Sequence, residues 1–506
     1  MVSLVERYAK QIAGVLSCFD RITITGTLPG ICYADGMAGY LAANGIRIFD
    51  YPRFVEPMRD EIRANAEQIS RENNLEIEYI RSAGAFRKED RIKEILHKRG
   101  NHPGLVHIFS AMETCPAFTP RHDKATGRTY LKYKEAKCLH YYFYFLDEQF
   151  GLCFLRVPTW APFRLLFYFN GHNWLANQLL LHGIGFTQLD NAFIRIDDWA
   201  KAQELADEFP VERLHRALDR WAEKYCPVVR RFPAKYHWSI EQGEYATDIV
   251  FFRQKELQPL YAVLSRTAIH AVKPDHVATF LGRKLDGRYK DELGNDFHTR
   301  VEGTRIKHRM GPVSIKLYDK QGLVLRIETT VNDVTFFRHY RTVEHRDKTS
   351  EAKVATMQKT IYSLFPLKQC MAAANRRYLD FLSELVDPSG GLRDVQKLAE
   401  PLKKKGRNYP GFNLFQQKDF AFILALIRGE GFISGFTNKT VRRVLKDRTG
   451  PQVSRLLKRM LVHGLIRKVG KTYKYYLTPL GRRVLLTALK LRELVVIPSL
   501  AGILAA

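Results

Sequence analysis

The chain has 506 residues and carries 80 Lys/Arg against 53 Asp/Glu, a formal net charge of +27 at pH 7. The length leaves room for two to four domains, and the charge argues against an ordinary near-neutral enzyme and for a polyanionic partner. No apolar run approaches the roughly 20 residues of a membrane span, and the seven cysteines form no CxxC pair or zinc-spaced Cys/His cluster, so a reducing, cytoplasmic location without membrane or structural zinc is expected.

The N-terminal stretch MVSLVERYAKQIAGVL reads as an amphipathic helix rather than a signal peptide. Cys18 to Thr27 reads as a strand, Ala38–Asn44 as helical and Ile46–Phe49 as extended. Val55–Asn73 is a charged helix, Leu75–Ile80 a strand, Asp90–His97 a helix and Gly104–Ser110 a strand. This alternation predicts an α/β domain with partly parallel pairing over residues 1–130.

Asp20 stands out in the first strand. Side chains alternate along a strand, so Cys18, Asp20, Ile22 and Ile24 share one face. A carboxylate there needs a partner, a metal ion or a raised pKa. Its position resembles that of the metal-binding Asp on the first strand of RNase H-like nucleases and transposases, which implies a catalytic metal ligand. A buried structural pair with a nearby Arg is the alternative. Glu113 is either a second ligand or a loop acid at the start of a turn-rich run, Thr114 to Thr129.

Residues 131–340 read as mixed, largely antiparallel β with helices, open to continuity with the first domain. Cys138–Leu146 and Leu152–Val157 flank a turn and make an aromatic hairpin, either core or a base-stacking platform. Asn170–Asn173 caps a helix over Trp174–Leu181, with His172 either a turn residue or a ligand or base. Helices follow over Ala200–Glu208, Val211–Tyr225 and Lys255–His270, with the run Trp238–Phe252 between them carrying no recognisable chemistry.

Gly311 to Val331 is a hairpin, with its turn expected at Lys320-Gln321-Gly322. In that register Tyr318 faces Val324, Lys316 faces Arg326 and Ser314 faces Glu328, while Ile315, Leu317, Leu325 and Ile327 fill the core side. Opposed cations are unfavourable unless an anion lies between them. The stretch Glu302 to Val331 resembles part of the replication initiators of rolling-circle plasmids and filamentous phages. The resemblance implies a strand-nicking site with Glu328 on a divalent metal and Tyr318 as nucleophile; Lys316 and Arg326, on the same polar face, are nucleic-acid-binding candidates, including in a scaffold hairpin that only binds phosphates. Asp333 follows closely enough to join the ligands. No His-hydrophobic-His motif accompanies it, and a scaffold hairpin with a surface ion network is the alternative.

Residues 341–410 read as a helical linker region: Arg346–Lys353 loop-like, Thr356–Leu385 mostly helical, a break at Pro388–Gly391, a short helix over Leu392–Leu402, and the basic connector Lys403–Arg407. From Lys403 to the end there are 22 Lys/Arg against 4 Asp/Glu, a net +18.

Within residues 411–506, Pro451 opens a helix whose Val453, Leu456, Leu457, Met460 and Leu461 recur at helical spacing. Gly464 ends it, two short strands meet at Gly470-Lys471, and Thr478-Pro479 starts another helix. The segments LLKRMLVHGLI and YYLTPLGRRVL resemble the winged helix-turn-helix of MarR-like and ArsR-like DNA-binding regulators. That resemblance implies a recognition helix in the major groove, with the hairpin on the backbone or minor groove. The DNA-contacting set is then Lys439, Arg442, Arg443, Gln452, Ser454, Arg455, Lys458, Arg459, Arg467, Lys468, Lys471 and Lys474.

The expectation is an α/β (α+β) body with mixed sheets followed by a C-terminal winged helix, in a DNA-binding protein of a mobile or replicating element. The body would be a metal-dependent nuclease, transposase or initiator using Mg²⁺ or Mn²⁺ on Asp20, Glu328, Glu113 and Asp333. A non-catalytic winged-helix regulator, an RNA-binding protein and a homodimeric assembly stay open.

Overall fold

A computed structural model describes residues 3–81, 86–283, 293–300, 303–345, 347, 349–386, 399–404, 406–413, 416–427, 435–470 and 472–497. Buried Ile12 and Leu16 extend the first strand well upstream of Cys18, so β1 spans Ile12–Thr27. The expected N-terminal amphipathic helix is correspondingly short, Leu4–Arg7, closed by a capping box between Ser3 and Glu6. Tertiary pairing has overridden local helical periodicity there.

The strands that follow are β2 (Ile77–Tyr79), β3 (Gly104–His122), β4 (Thr129–Asp147), β5 (Gly151–Pro158), β6 (Leu165–Asn170), β7 (Phe186–Leu189) and β8 (Ala192–Ile196). Then come β9 (His237–Phe251), β10 (Leu293–Arg300), β11 (Gly303–Met310), β12 (Val313–Lys320) and β13 (Val324–Val331). Eleven of them form one mixed sheet in the order β10-β11-β12-β13-β9-β1-β6-β5-β4-β3-β2, and β7 and β8 form a separate hairpin. β2 pairs parallel with β3, whereas β1 pairs antiparallel with β6. The turn-rich reading of Thr114–Thr129 is corrected: Gly104–His122 and Thr129–Asp147 pair antiparallel along almost their whole length, which places Glu113 mid-strand.

Contacts group the chain into two units, Met1–Val15 with Ala246–Thr330 and Gln369–Ala506, and Leu16–Tyr245 with Val331–Lys368. β1 and β9 each contribute residues to both.

In the second of these units the sheet is covered on both faces. Phe143 and Phe145 stack on Tyr225, and Phe167 stacks on Trp221, of the Val211–Tyr225 helix. On the other face the Lys88–Arg99 helix sets Ile92 against Val106, Phe109, Tyr142 and Tyr144. Tyr141 to Phe145 are at most 6% exposed, so this aromatic run is core and offers no open platform for bases. Ile48–Asp50 is a 3₁₀ turn rather than extended. Of the stretch Arg346–Lys353 read as loop-like, Ser350–Lys353 lie in a hairpin, Arg338–Glu344 with Ser350–Thr356, and Arg346 lies outside the described residues.

In the first unit, the β12–β13 turn occupies Gln321–Leu323, one residue later than expected, with Gln321 and Gly322 both at positive φ. The facing pairs therefore slide by two residues, which preserves the faces: Ile315, Leu317, Leu325 and Ile327 are all fully buried. Helix Leu364–Val386 follows. The Lys403–Arg407 connector includes a short ribbon, Leu402–Lys404 with Arg407–Tyr409. Pro388–Gly391 and most of Leu392–Leu402 lie outside the described residues.

The C-terminal segment has helices Gln417–Leu426, Asn438–Val444, Gly450–Val462 and Pro479–Lys490, and a ribbon of Ile466–Lys468 with Tyr475–Leu477. Thr449 and Gln452 form a capping box with Pro451 in the first turn, and Gly464 ends the helix at φ +70°. Val453, Leu457 and Met460 are buried with Phe422, Ile423, Val441, Leu465 and Leu485, while Leu456 and Leu461 are only partly covered. Gly481 lies so close to the Leu465 carbonyl that a Cβ there would collide with it.

No described helix is long and apolar enough to cross a membrane.

Candidate metal centre

Asp20 is 4% exposed on β1. The neighbouring strand β6 ends at Asn170, in register with Arg21. Asn170 caps the next helix: its Oδ1 accepts from the His172 N–H at 2.8 Å, which fixes the amide so that Nδ2 donates to Asp20 Oδ1 at 3.0 Å. Asn191, in the β7–β8 turn, donates to both Asp20 oxygens at 2.8 and 2.6 Å. The His172 Nδ1 lies 3.3 Å from Oδ1. These donors hold the carboxylate in one orientation and satisfy part of its demand for hydrogen bonds.

Glu328, on β13, is 2% exposed. Lys316 on β12 places Nζ 2.5 Å from its Oε1, and the Tyr318 hydroxyl donates to Oε2 at 2.5 Å. The residue two positions upstream, Arg326, is fully buried and donates through Nε and Nη2 to the two oxygens of Asp248, both at 2.6 Å. This fork-to-fork pair removes Arg326 from the expected phosphate-contacting set. Lys316 leaves it for a similar reason: its side chain is 14% exposed and its charge is directed at Glu328.

β13, β9 and β1 are consecutive in the sheet. Asp20, Glu244 and Glu328 each offer one carboxylate oxygen, and these atoms all lie within 4.8 Å of one another. Oxygen donors on a single octahedral Mg²⁺ at about 2.1 Å sit roughly 3–4 Å apart, so the spacing suits one hard divalent cation after small side-chain adjustments. An all-carboxylate set favours Mg²⁺ or Mn²⁺ over softer metals.

Two of the four expected ligands are therefore brought together, and two are not. Glu113 accepts from the Tyr142 hydroxyl at 2.6 and 2.7 Å, with Arg156 at 3.4 Å and Lys88 at 3.7 Å. Asp333 caps the Val334–Phe336 turn through the Thr335 N–H and hydroxyl and pairs with Lys359 at 3.3 Å. Both carboxylates are occupied structurally, and neither is in the triad. Glu244 was missed by sequence reading. It is half-buried on β9 between buried Gly243 and Tyr245, and Gln242 and Asp248 share its alternation with Trp238 and Ile240, so no apolar-face signal marks it in the sequence.

Among the expected DNA-contacting residues, Lys439, Arg442, Arg443, Arg455, Lys458, Arg467 and Lys468 are exposed and Lys474 is half-exposed. Gln452 is exposed but spends its amide oxygen on the Thr449 N–H at 2.9 Å, and the Ser454 hydroxyl accepts from Asn438 at 2.8 Å. Arg459 is corrected: it pairs with Asp419, donates to the Pro410 and Gly411 carbonyls, and sits 3.7 Å above the Phe412 ring. That is a structural clamp. Lys471 lies outside the described residues.

Comparison of the chain with family models, with curated proteins and with solved structures finds no match.

Proposed function

We propose that the protein processes DNA with a divalent cation, Mg²⁺ or Mn²⁺, held by Asp20, Glu244 and Glu328, and finds its target through a C-terminal winged helix. The convergence of the three carboxylates carries this reading. Two buried carboxylates and a half-buried one in close approach repel each other unless cations neutralise them. A metal ion would do so while polarising a phosphodiester and stabilising the charge that develops on it.

Tyr318 fits the role of attacking group. Its hydroxyl rests on the Glu328 carboxylate, the nucleophile-to-base spacing that activates a weak oxygen nucleophile. Attack on phosphorus would form the bond from Tyr318 Oη to the DNA phosphate and break the bond to the adjoining sugar oxygen, with the phenolic proton passing by way of the Glu328 carboxylate to that leaving oxygen.

The winged-helix part rests on the Gly450–Val462 helix with exposed Arg455 and Lys458, followed by the ribbon bearing Arg467 and Lys468. With the net +18 of the last hundred residues, this is a strong electrostatic footprint for duplex DNA.

One observation favours a second reading, a DNA-binding protein without catalysis. Lys316 already neutralises Glu328 at 2.5 Å, as in a purely structural ion network. Incubating supercoiled plasmid with Mg²⁺ or Mn²⁺ decides between them. The catalytic reading expects nicking that Asp20→Ala, Glu244→Ala and Glu328→Ala each abolish while DNA binding persists. No nicking with either metal leaves the regulator reading.

A further inference from the structure

A second site lies wholly within the Leu16–Tyr245 part of the sheet, and its lining includes no residue of the carboxylate triad. Cross-strand register sets Thr25 beside Leu166, Leu166 beside Arg156, and Arg156 beside Tyr142. These residues share one face. A cavity of about 130 Å³ opens there, and its lining includes Thr25, His140, Arg156, Trp160, Arg164 and Glu241. That is room for about four waters at roughly 30 Å³ each, enough for a phosphate group and too little for a base pair.

Its chemistry is that of an oxyanion site. The Arg156 Nε is buried and has no hydrogen-bond partner among the described residues. Leaving such a donor unmade costs about 1–3 kcal/mol. The same guanidinium reaches Glu113 only at 3.4 Å, and Glu113 is already held by Tyr142 and Lys88. Arg164 pairs with Glu241 at 2.9 Å, both about half exposed, and Thr25 donates its hydroxyl to the same carboxylate at 3.0 Å. His140 is neutral: burial, then the neighbouring Arg156 charge, lower it to about 4, and its Nδ1 faces the Cys138 carbonyl at 3.1 Å. Lys88, Arg156 and Arg164 set against Glu113 and Glu241 leave one positive charge.

We propose that this cavity binds a phosphodiester monoanion of a nucleic-acid backbone, with Arg156 and Arg164 as the binding residues. The single surplus charge matches one diester phosphate better than a dianion. The Arg156 and Arg164 guanidiniums both line the cavity and can give charge-assisted bonds to such an oxygen. This rests on the nucleic-acid reading above but needs no metal, so the site would anchor substrate independently of the triad.

The test is a titration of the full chain in EDTA with a thymidine dinucleotide, inorganic phosphate and thymidine, following tryptophan fluorescence. The proposal expects a saturable change with the dinucleotide that Trp160→Phe removes, no response to thymidine, and weaker binding of inorganic phosphate. Arg164→Gln, at an exposed position, and Arg156→Lys, which keeps the charge, should each weaken the dinucleotide by about fivefold or more. No saturable response, unchanged affinity in both variants, or inorganic phosphate binding as tightly as the dinucleotide overturns it. Because EDTA removes the metal, failure here leaves the plasmid-nicking test intact, and the converse also holds.

Discussion

Arg326 and Asp248 form a fully buried, two-pronged ion pair, with both N···O distances at 2.6 Å. Removing Asp248 strips the buried Arg326 guanidinium of this two-pronged partner. Asp248→Ala is therefore expected to destabilise the protein by about 3–5 kcal/mol, whereas replacing both residues with apolar ones of similar volume should cost much less. Denaturant unfolding of the two variants checks this; equal losses would show that the pair is not acting as a unit.

The Tyr318 hydroxyl donates to Glu328, and Tyr318→Phe removes that group and keeps the ring. If Tyr318 is the nucleophile, this variant should lose nicking by about 100-fold or more and form no covalent DNA adduct. Nicking at the wild-type rate would leave Tyr318 with only the task of orienting Glu328.

Glu384 gives a pH dependence. Its side chain is 5% exposed beside Arg482 at 3.1 Å. Burial raises its carboxyl from 4.5 to about 7, Arg482 opposes the rise, and Asp380 adds to it. Burial outweighs the ion pair because desolvation acts on the whole charge while Arg482 is one partly exposed neighbour. The folded state thus holds this proton more tightly than the unfolded chain does. The associated stability is fully present below about 4.5 and is lost as pH rises through about 7, a change of roughly 2–4 kcal/mol. Glu384→Gln should flatten the stability profile between pH 5 and 8, as measured by denaturant midpoint. An unchanged slope would contradict the assignment.

On the DNA side, Arg455 and Lys468 are both exposed but belong to different elements. Arg455→Ala should weaken specific sites by about 1–3 kcal/mol, while Lys468→Ala should weaken all sequences alike and reduce the salt slope by about one. Binding measured across salt concentrations separates the two. Equal effects on specificity would reverse the groove assignment.

Where the sequence was informative, side-chain alternation was the reason. Asp20 announced itself as a carboxylate among apolar strand neighbours, whereas Glu328 stood out on the polar face of its hairpin beside Lys316 and Tyr318; both are buried in the structure. Glu244 carries no such signal, because Gln242 and Asp248 share its alternation and it is only half-buried. Arg326 misled because a cation on a polar strand face looks like a phosphate ligand until its partner is known. That partner, Asp248, is 78 residues away in the chain. Long-range pairing also hid the length of β1 and β3, since periodicity near Ile12 and Thr114 describes only a local preference.

Whether Asp20, Glu244 and Glu328 share one metal ion is read from Mn²⁺ binding to the full chain, with free ion followed by its EPR signal. One Mn²⁺ should bind per chain, competed by Mg²⁺, with affinity falling about tenfold or more in each of Asp20→Asn, Glu244→Gln and Glu328→Gln. Absence of stoichiometric binding, or equal binding by all three variants, would contradict it.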